Sequence, residues 1–341
     1  SQRRVPFMVV VTGANGHVGN NLVRALLAQG RKVRALVYGD SASLAGLPVE
    51  IREGEIRDPD FLKQAFNGAE VVYHTAGRIS LSMSDWPLVE AVNVRGVENV
   101  LRACLACGVK RLIHFSSIHA YVQEPLLETL DETRPLVDSS MRVPPYDLSK
   151  AEGERLVRAA VERGLDAVIL NPTGIIGPHD FGPSYFGRVL LALGRGGFPV
   201  MVGGGFDWVD VRDIVDAALR AEEVAPAGAR YLLSGHWVSN EELAAMVAEI
   251  AGVSPPRLFI PLGVARLAAP LASAWARAAG REALFTTVAL RDLRGNRCIS
   301  HARAAADLGY APRPLRETLV DTLGWFESIG SMRRGAGREI W

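Results

Sequence analysis

A tyrosine and a lysine at the start of a predicted helix have the residue types and spacing for proton transfer. Tyr146 and Lys150 stand at positions i and i+4, which places the phenol and the ammonium on one helical face. A free phenol, with a pKa of about 10, transfers protons poorly at neutral pH, and a nearby ammonium lowers that pKa. Ser117 ends a predicted strand upstream, and its hydroxyl could polarise a carbonyl beside the tyrosine. The three residues together indicate acid/base chemistry on an alcohol or a carbonyl.

A glycine-rich turn near the start of the chain could bind a dinucleotide. Gly13, Gly16 and Gly19 have the spacing G-x-x-G-x-x-G between a predicted strand, Val5–Val11, and a predicted helix, Val18–Ala28. Glycine permits a tight turn and a close approach of backbone N–H groups to a pyrophosphate, and the helix N-terminus adds partial positive charge. The position between the first strand and the first helix is the context that dinucleotide binding requires.

The end of the second predicted strand slightly favours NADP over NAD. NAD enzymes usually have a carboxylate there that binds the ribose hydroxyls, whereas NADP enzymes often have an arginine. The strand ends with Val37-Tyr38-Gly39-Asp40, so its carboxylate lies beyond a glycine. No arginine stands in this stretch either.

Composition and charge exclude several classes of protein. The formal net charge is +1, with 48% hydrophobic and 22% charged residues, so the chain has no overall field that attracts nucleic acid or anionic membranes. Three cysteines do not make a disulfide framework and are typical of a reducing compartment. Prolines and arginines interrupt the longest apolar stretch, Leu258–Ala279, and we see no signal peptide. We therefore expect a cytoplasmic protein with a small-molecule substrate, without a membrane span, a nucleic-acid partner or a bound metal.

Strands and helices alternate through the first half of the chain. The predicted strands are Val5–Val11, Lys32–Tyr38, Val71–Thr75, Leu112–Ser117 and Ala167–Asn171, and the predicted helices are Val18–Ala28, Pro59–Phe66, Trp86–Cys107 and Tyr146–Arg163. Asp58 is predicted to cap one helix, and Ser239 with Glu242 another. Such alternation predicts a doubly wound parallel Rossmann sheet of the α/β class, with helices on both faces.

Glycine and proline become frequent after Asn171, which predicts a change of domain. Residues 1–171 would form the dinucleotide-binding Rossmann domain, and a later strand near 230–234 would return to its sheet. A smaller, mostly C-terminal substrate domain would comprise residues 172–204 and 236–330. The tail would comprise residues 331–341.

The ordered set of motifs resembles the extended short-chain dehydrogenases/reductases, also known as the NAD-dependent epimerase/dehydratase family. The resemblance extends over nearly the whole chain and is carried by Thr12–Gly19, His74–Gly77, Asn93–Gly96, Phe115–Ser117, Tyr146–Lys150, Asn171–Pro178, Trp208–Ile214 and Leu308–Tyr310. It implies that Ser117, Tyr146 and Lys150 are catalytic and that Tyr146 exchanges the alcohol proton during hydride transfer with NAD(P).

The resemblance also implies which residues contact the cofactor and the substrate. The cofactor contacts would be Gly13, Asn15, Gly16, His17, Val18, Tyr38, Glu55, Ile56, Thr75, Ala76, Gly77, Tyr146, Lys150, Pro172, Gly174 and Ile175. Candidate substrate contacts are Arg78, His119 and Tyr185. Members of the family commonly form homodimers through two long helices that match 86–107 and 146–163 here.

Within the family, the chain looks most like the 3β-hydroxysteroid dehydrogenase, dihydroflavonol reductase and hopanoid-associated epimerase-like members. It lacks the arginine that nucleotide-sugar enzymes often carry just before the strand that contains Trp208, and Asn171 replaces a usual arginine. We predict an oxidoreductase that interconverts a secondary alcohol and a ketone on a fairly apolar steroid-, flavonoid- or aldehyde/ketone-like molecule. The alternatives are a nucleotide-sugar 4-epimerase with tightly bound NAD and a non-enzymatic NAD(P)-sensing regulator. The pair Ile118-His119 stands where a dehydratase would have Asp-Glu, which disfavours that reaction.

Overall fold

A seven-stranded parallel sheet forms the centre of the computed structural model, which describes residues 7–265, 267 and 287–332. The strands are β1 (Met8–Thr12), β2 (Lys32–Val37), β3 (Glu50–Glu53), β4 (Ala69–His74), β5 (Arg111–Phe115), β6 (Ala167–Pro172), β7 (Gly174–Ile176), β8 (Val200–Val202), β9 (Gly205–Asp210), β10 (Arg230–Leu233), β11 (His236–Ser239) and β12 (Leu258–Ile260). The order across the sheet is β10-β6-β5-β4-β1-β2-β3, and every neighbouring pair is parallel. The doubly wound α/β fold predicted from the sequence is confirmed.

Helices cover both faces of this sheet. The helices of the described residues are α1 (His17–Ala28), α2 (Pro59–Phe66), α3 (Trp86–Glu90), α4 (Gly96–Cys107), α5 (Pro145–Glu162), α6 (Tyr185–Gly194), α7 (Val211–Val224), α8 (Asn240–Ala251), α9 (Thr287–Asp292), α10 (Ala302–Leu308) and α11 (Leu315–Ser328). Helices α1, α7 and α10 contribute to the core on one face, and α2, α4 and α5 to the core on the other. Because both faces are covered, the central strands are predominantly apolar, although His74 and His114 are buried on β4 and β5.

Side-chain caps place the starts of two helices as predicted. Asp58 accepts hydrogen bonds from the backbone N–H groups of Asp60 and Phe61 at 3.0 and 3.1 Å, and proline occupies the first helical position of α2. Ser239 and Glu242 form a reciprocal capping box at the start of α8. Each cap satisfies N–H groups that have no partner within the helix.

The structure differs from the sequence-based elements at an edge strand and in a long helix. Strand β3 was not predicted, because an edge strand with charged, exposed side chains has no apolar run; Glu50 on it pairs with Arg34 at 3.0 Å. The helix predicted over Trp86–Cys107 contains a π-helical turn at Ala91–Arg95. Such turns occur often at functional sites.

A second, smaller part of the molecule lies beyond the large sheet. Strands β7, β9 and β11 form one small sheet, and β8 pairs with β12 in another. Helices α6, α8 and α11 pack with them around a separate apolar core that includes Trp208. We propose that this part is the substrate domain; residues 333–341 of the predicted tail lie outside the described residues. None of the described helices has both the length and the apolar character to cross a membrane.

Candidate active site

A cavity of about 370 Å³ opens where the strands of the large sheet end. Its walls include Gly13 after β1, Thr75 after β4, Ser117 after β5 and Pro172 at the end of β6. All four lie at the carboxyl edge of the parallel sheet, where ligands bind in this architecture. The cavity therefore lies where the glycine-rich turn after β1 and Tyr146 were both expected to act.

Glycine keeps the turn after β1 tight, because a side chain at two of its positions would collide with the protein backbone. Gly13 has φ of 66°, and a Cβ atom there would lie 2.7 Å from the Cα atom of Ala76. A Cβ atom on Gly19 would overlap the carbonyl oxygen of Gly13. Helix α1 begins after Gly16 without a side-chain cap, so the N–H groups of its first turn have no capping oxygen. These N–H groups and the helix dipole suit a phosphate.

The loop after β2 is tied to the glycine turn. The side-chain amide of Asn15 donates to the backbone oxygens of Tyr38 at 3.0 Å and Asp40 at 2.8 Å. The carboxylate of Asp40 accepts a hydrogen bond from the backbone N–H of Ala42 at 2.8 Å. Asn15 thus holds the glycine turn and the loop after β2 together, and the Asp40 carboxylate is turned towards its own loop.

Asn93 fixes the segment that follows β4, a role that the sequence reasoning did not assign. Its side-chain oxygen accepts from the N–H of Arg78 at 2.8 Å, and its amide donates to the Arg78 oxygen at 2.9 Å and to the Ser149 hydroxyl at 2.9 Å. Asn93 thereby joins this segment to α5, beside the lysine: a Cβ atom on Gly77 would lie 3.5 Å from Nζ of Lys150. Its place in the motif Asn93–Gly96 was the available signal.

Ser117 and Tyr146 line the cavity, and Lys150 lies outside its wall with Nζ near Gly77. The Ser117 hydroxyl is close enough to the Tyr146 phenol to lower its pKa, and its Oγ accepts a hydrogen bond from the backbone N–H of His119 at 3.2 Å. The buried Lys150 donates from Nζ to the backbone oxygen of Phe115 at 2.9 Å. The end of β5 and the start of α5 thus place Ser117 and Tyr146 in one wall, and Lys150 donates to the end of the same strand.

Burial controls the protonation of this group. It lowers the pKa of Lys150 to about 8, against the opposing effect of the Glu154 carboxylate. It also raises the pKa of the Tyr146 phenol, which the hydrogen bond with Ser117 opposes and the carboxylates of Asp147 and Asp292 reinforce. The sequence-based expectation that a nearby ammonium lowers this pKa is therefore not met, since loss of hydration, the largest cause, raises it.

The predicted site residues divide between the cavity wall and its surroundings. The wall includes Gly13, Gly16, His17, Val18, Thr75, Gly77, Ser117, Tyr146, Pro172 and Ile175, together with the substrate candidates His119 and Tyr185. Outside this wall lie Asn15, Tyr38, Glu55, Ile56, Ala76, Lys150 and Gly174. The side chain of Arg78 is exposed, whereas its neighbours Ile79, Ser80 and Leu81 reach the wall.

The part of the wall beyond the tyrosine is predominantly apolar and was not predicted residue by residue. It contains Ile79, Leu81, Phe186, Val189, Phe198, Met201, Phe206, Trp208, Leu243, Val288 and Leu293. The rings of Phe186, Phe206 and Trp208 pack edge to face or tilted, with centroids 4.7 to 5.7 Å apart. Phe186 belongs to α6, and Phe206 and Trp208 belong to β9, so only folding brings the three rings together.

Two carboxylates interrupt this apolar wall. Oδ1 of Asp147 lies 3.6 Å and Oδ1 of Asp292 lies 3.8 Å from Nδ1 of His119. Burial raises the pKa of Asp147 to about 7, with His119 opposing and Asp292 adding to the rise, and burial also raises the pKa of Asp292. Sequence reasoning identified His119 but neither carboxylate, because nothing local marks them as partners.

We expect Asp147→Asn to stabilise the protein at alkaline pH. A carboxyl whose folded-state pKa is raised contributes stability below its unfolded pKa of about 4, and that stability is lost as pH rises through about 7. The variant should therefore have a free energy of unfolding higher than wild type by on the order of 1 kcal/mol at pH 8, with no gain at pH 4. Denaturant unfolding at both pH values measures this. The exposed carboxylate variant Glu128→Gln is the control, and equal stability of Asp147→Asn and wild type at pH 8 would refute the prediction.

Comparison with known proteins agrees with this geometry. Residues 9–233 match the model of the NAD dependent epimerase/dehydratase family. The chain is 35% identical to sterol demethylase protein B of Methylococcus capsulatus, over 94% of this chain and 98% of that protein. It is 30% identical to a putative dihydroflavonol 4-reductase of Synechocystis sp., over 95% of each. The crystal structure of gox2253 superposes with a TM-score of 0.82 at 32% identity, over 96% of this chain and 99% of that one.

Proposed function

Because the chain belongs to the NAD-dependent epimerase/dehydratase family and is an NAD(P)-dependent enzyme of the extended short-chain dehydrogenase/reductase type, we propose that it interconverts a secondary alcohol and a ketone on a fairly apolar small molecule. The observation that carries this proposal is the pair of neighbouring side chains Tyr146 and Ser117 in the wall of a largely apolar cavity. The pair supplies a proton and a carbonyl contact where the wall has few other polar groups.

The residues around the glycine turn fit a dinucleotide. A side chain at Gly13 or Gly19 would collide with the protein backbone, so the turn is tight only with glycine, and the uncapped start of α1 supplies N–H donors to a pyrophosphate. Thr75, Gly77, Pro172 and Ile175 would hold the nicotinamide half. When bound, the nicotinamide supplies or accepts the hydride.

The protein's own residues would manage the proton and the carbonyl. Ser117 would orient the substrate oxygen through its hydroxyl. Tyr146 would donate its phenolic proton to that oxygen in reduction and take it back in oxidation. Lys150 would keep a positive charge beneath the site from its anchored position on the Phe115 oxygen. The apolar wall would exclude water and hold a steroid-, flavonoid- or aldehyde/ketone-like body.

We propose NADP rather than NAD as the preferred cofactor. A carboxylate that binds the adenosine ribose of NAD would have to stand at the end of β2, whereas Asp40 lies beyond Gly39 and is engaged by the N–H of Ala42. The ratio of kcat/KM for NADPH to that for NADH is the measurement. A ratio below one would show that the enzyme prefers NADH.

The test of the function is a panel of carbonyl compounds read by NADPH and NADH absorbance. The panel includes steroids, flavonoids, aldehydes and nucleotide sugars. We expect cofactor-coupled reduction of one of the apolar ketones. Absence of reduction across the panel with both cofactors would reject the proposal.

A nucleotide-sugar 4-epimerase is the second candidate, because the name of the matching family includes epimerases. Such an enzyme would convert a nucleotide sugar without net consumption of cofactor, which the same panel detects by product analysis. The apolar wall around Phe206 and Trp208 argues against it. A purely regulatory role, the third candidate, would require that Tyr146→Phe leave the biological output unchanged.

The rate of ketone reduction should fall as pH rises through about 8. Burial lowers the pKa of Lys150 to about 8, so the ammonium loses its proton in this range and the positive charge beneath Tyr146 disappears. A profile of kcat/KM against pH measures the fall. The variant Asp147→Asn should show the same fall above pH 8, because it removes only the carboxyl whose pKa is about 7. A flat wild-type profile between pH 7 and 9 would contradict the assignment to Lys150.

We also propose that the protein forms a homodimer through 86–107 and 146–163. Leu88 and Leu105, which lie in the first of these segments, are 42% and 52% exposed and so are available to an interface. Sedimentation velocity distinguishes a dimer from a monomer. A monomer at micromolar concentration would reject the proposal.

A further inference from the structure

The buried face of α5 carries an acidic side chain that has no role in hydride transfer as proposed. Glu154 lies four residues after Lys150, and its side chain is fully buried. Its Oε2 atom accepts a hydrogen bond from the side-chain amide of Asn171 at 2.8 Å. Its Oε1 atom has no hydrogen-bond partner among the residues that the structure describes. A buried carboxylate is costly unless an opposite charge and hydrogen bonds compensate it, so this one requires a physical explanation.

A cation on strand β10 faces this carboxylate. Nη1 of Arg230, the first residue of β10, lies 3.6 Å from Oε1 of Glu154, which is an ion-pair distance. The guanidinium is also fixed by other contacts, because it donates to the Tyr121 hydroxyl at 3.3 Å and to the backbone oxygen of Glu132 at 2.7 Å. The pair therefore joins α5 to the strand at one edge of the large sheet.

The amide of Asn171 ties the carboxylate to the segment that follows β5. Asn171 is fully buried on β6, and its Nδ2 atom donates both to Oε2 of Glu154 and, at 3.2 Å, to the backbone oxygen of Ser117. Strand β10, which carries Arg230, is hydrogen-bonded to β6. The sequence has Asn171 in place of a usual arginine, and the guanidinium beside Glu154 comes from this adjacent strand instead.

Glu154 also acts on Lys150 along the helix, because side chains four residues apart lie on one helical face. Burial lowers the pKa of Lys150 to about 8, and the Glu154 carboxylate opposes this. Two imidazoles also interact with the ammonium, His74 on β4 and His114 on β5. Burial holds the pKa of His74 at about 3 and that of His114 well below its usual value, and Lys150 adds to both effects. Both imidazoles are therefore neutral at neutral pH, and Glu154 is the carboxylate that supports the ammonium.

We propose that Glu154 is a positioning residue that sustains the positive charge of Lys150 from within the protein core. Arg230 compensates the buried carboxylate, and Asn171 fixes its orientation. Glu154, Asn171 and Arg230 lie outside the cavity wall, so they act on the reaction through Lys150. The consequence for catalysis rests on the proposed function, in which the charge of Lys150 lies beneath Tyr146 while a ketone is reduced.

The pKa of Lys150 can be measured directly, because the chain has four lysines and the other three are exposed. The full-length protein, labelled with ¹³C at the lysine ε-carbon, is titrated by NMR, and Lys150→Met assigns the resonance. The wild-type signal should titrate at about pH 8. Glu154→Gln keeps an oxygen for the Asn171 amide but removes the charge. In this variant the signal should titrate about one pH unit lower, the low end of the effect of a nearby opposite charge. Glu162→Gln, the same substitution at the exposed end of α5, should leave the titration unchanged.

A double-mutant cycle tests whether Arg230 is the counter-charge of Glu154. Arg230→Gln leaves the buried carboxylate without its cation and should lower the urea midpoint of unfolding more than Glu154→Gln does. Combining the two substitutions should raise the midpoint above that of Arg230→Gln, because neither charge then remains unpaired. The double variant should also show the lowered titration of Lys150, which provides the same test if Glu154→Gln does not fold. Additive losses of stability would show that Arg230 does not compensate Glu154 and would overturn its role.

The outcomes distinguish this inference from the proposed function. If Lys150 titrates at the wild-type pH in a folded Glu154→Gln variant, the inference is overturned even when the protein reduces ketones of the panel. If Lys150 titrates lower and no ketone is reduced, the positioning role is supported and the proposed oxidoreductase is rejected. If ketones are reduced, the fall of kcat/KM in Glu154→Gln should move to lower pH by the same amount as the Lys150 titration. A fall that stays at about pH 8 in this variant would overturn the link to catalysis.

Discussion

Tyr146→Phe is expected to lower kcat for ketone reduction by at least about 100-fold, the low end of the effect of a positioned acid/base. The change removes only the phenolic oxygen, so the ring still fills its place beside His119 while the proton for the substrate oxygen is lost. Initial rates with the best ketone of the panel, at saturating NADPH, measure the effect. A loss of less than about tenfold would show that another group supplies the proton.

The raised pKa of Tyr146 provides a second measurement for the variant Tyr146→Phe. Burial and the carboxylates of Asp147 and Asp292 raise this pKa, so the phenol keeps its proton at neutral pH. A protonated phenol is ready to donate, which favours reduction, whereas oxidation requires the phenolate. In the wild type, kcat for alcohol oxidation should therefore rise with pH from 7 to 9, and Tyr146→Phe should lose this rise. A pH-independent wild-type oxidation rate would contradict the raised pKa.

Gly19→Ala is expected to weaken cofactor binding by about 5- to 150-fold, the range that corresponds to 1–3 kcal/mol of overpacking. The new Cβ atom would overlap the carbonyl oxygen of Gly13, so α1 must move away from the turn. That movement carries with it the N–H groups that would hold the pyrophosphate. Titration of NADPH fluorescence measures the Kd.

A second glycine provides the matched control for this change. Gly324, in α11, has open space where a Cβ atom would stand, and alanine there should stabilise the helix by about 0.5–1 kcal/mol without altering Kd. A Kd for Gly19→Ala within about threefold of wild type would mean that the turn does not hold the cofactor. If Gly19→Ala is folded and its Kd is raised, the loss of binding does not result from unfolding.

The features that the sequence predicted correctly depend on local spacing. The i, i+4 placement of Tyr146 and Lys150 puts them on one face of any helix that contains them, and the cap at Asp58 needs only residues within one turn. Apolar runs such as β1 identify buried parallel strands from their own residues. The edge strand β3 has no such run, and its pairing with β2 alone defines it.

The rest was decided by residues that only the tertiary structure brings together. His119, Asp147 and Asp292 meet across three segments, and no spacing in the sequence relates Asp292 to the other two. The shift of the Tyr146 pKa was predicted in the wrong direction, because the sequence shows the neighbouring lysine but not the loss of water around the phenol. Helical and strand periodicity are properties of a short stretch of backbone, whereas hydration and charge depend on everything packed within a few ångströms.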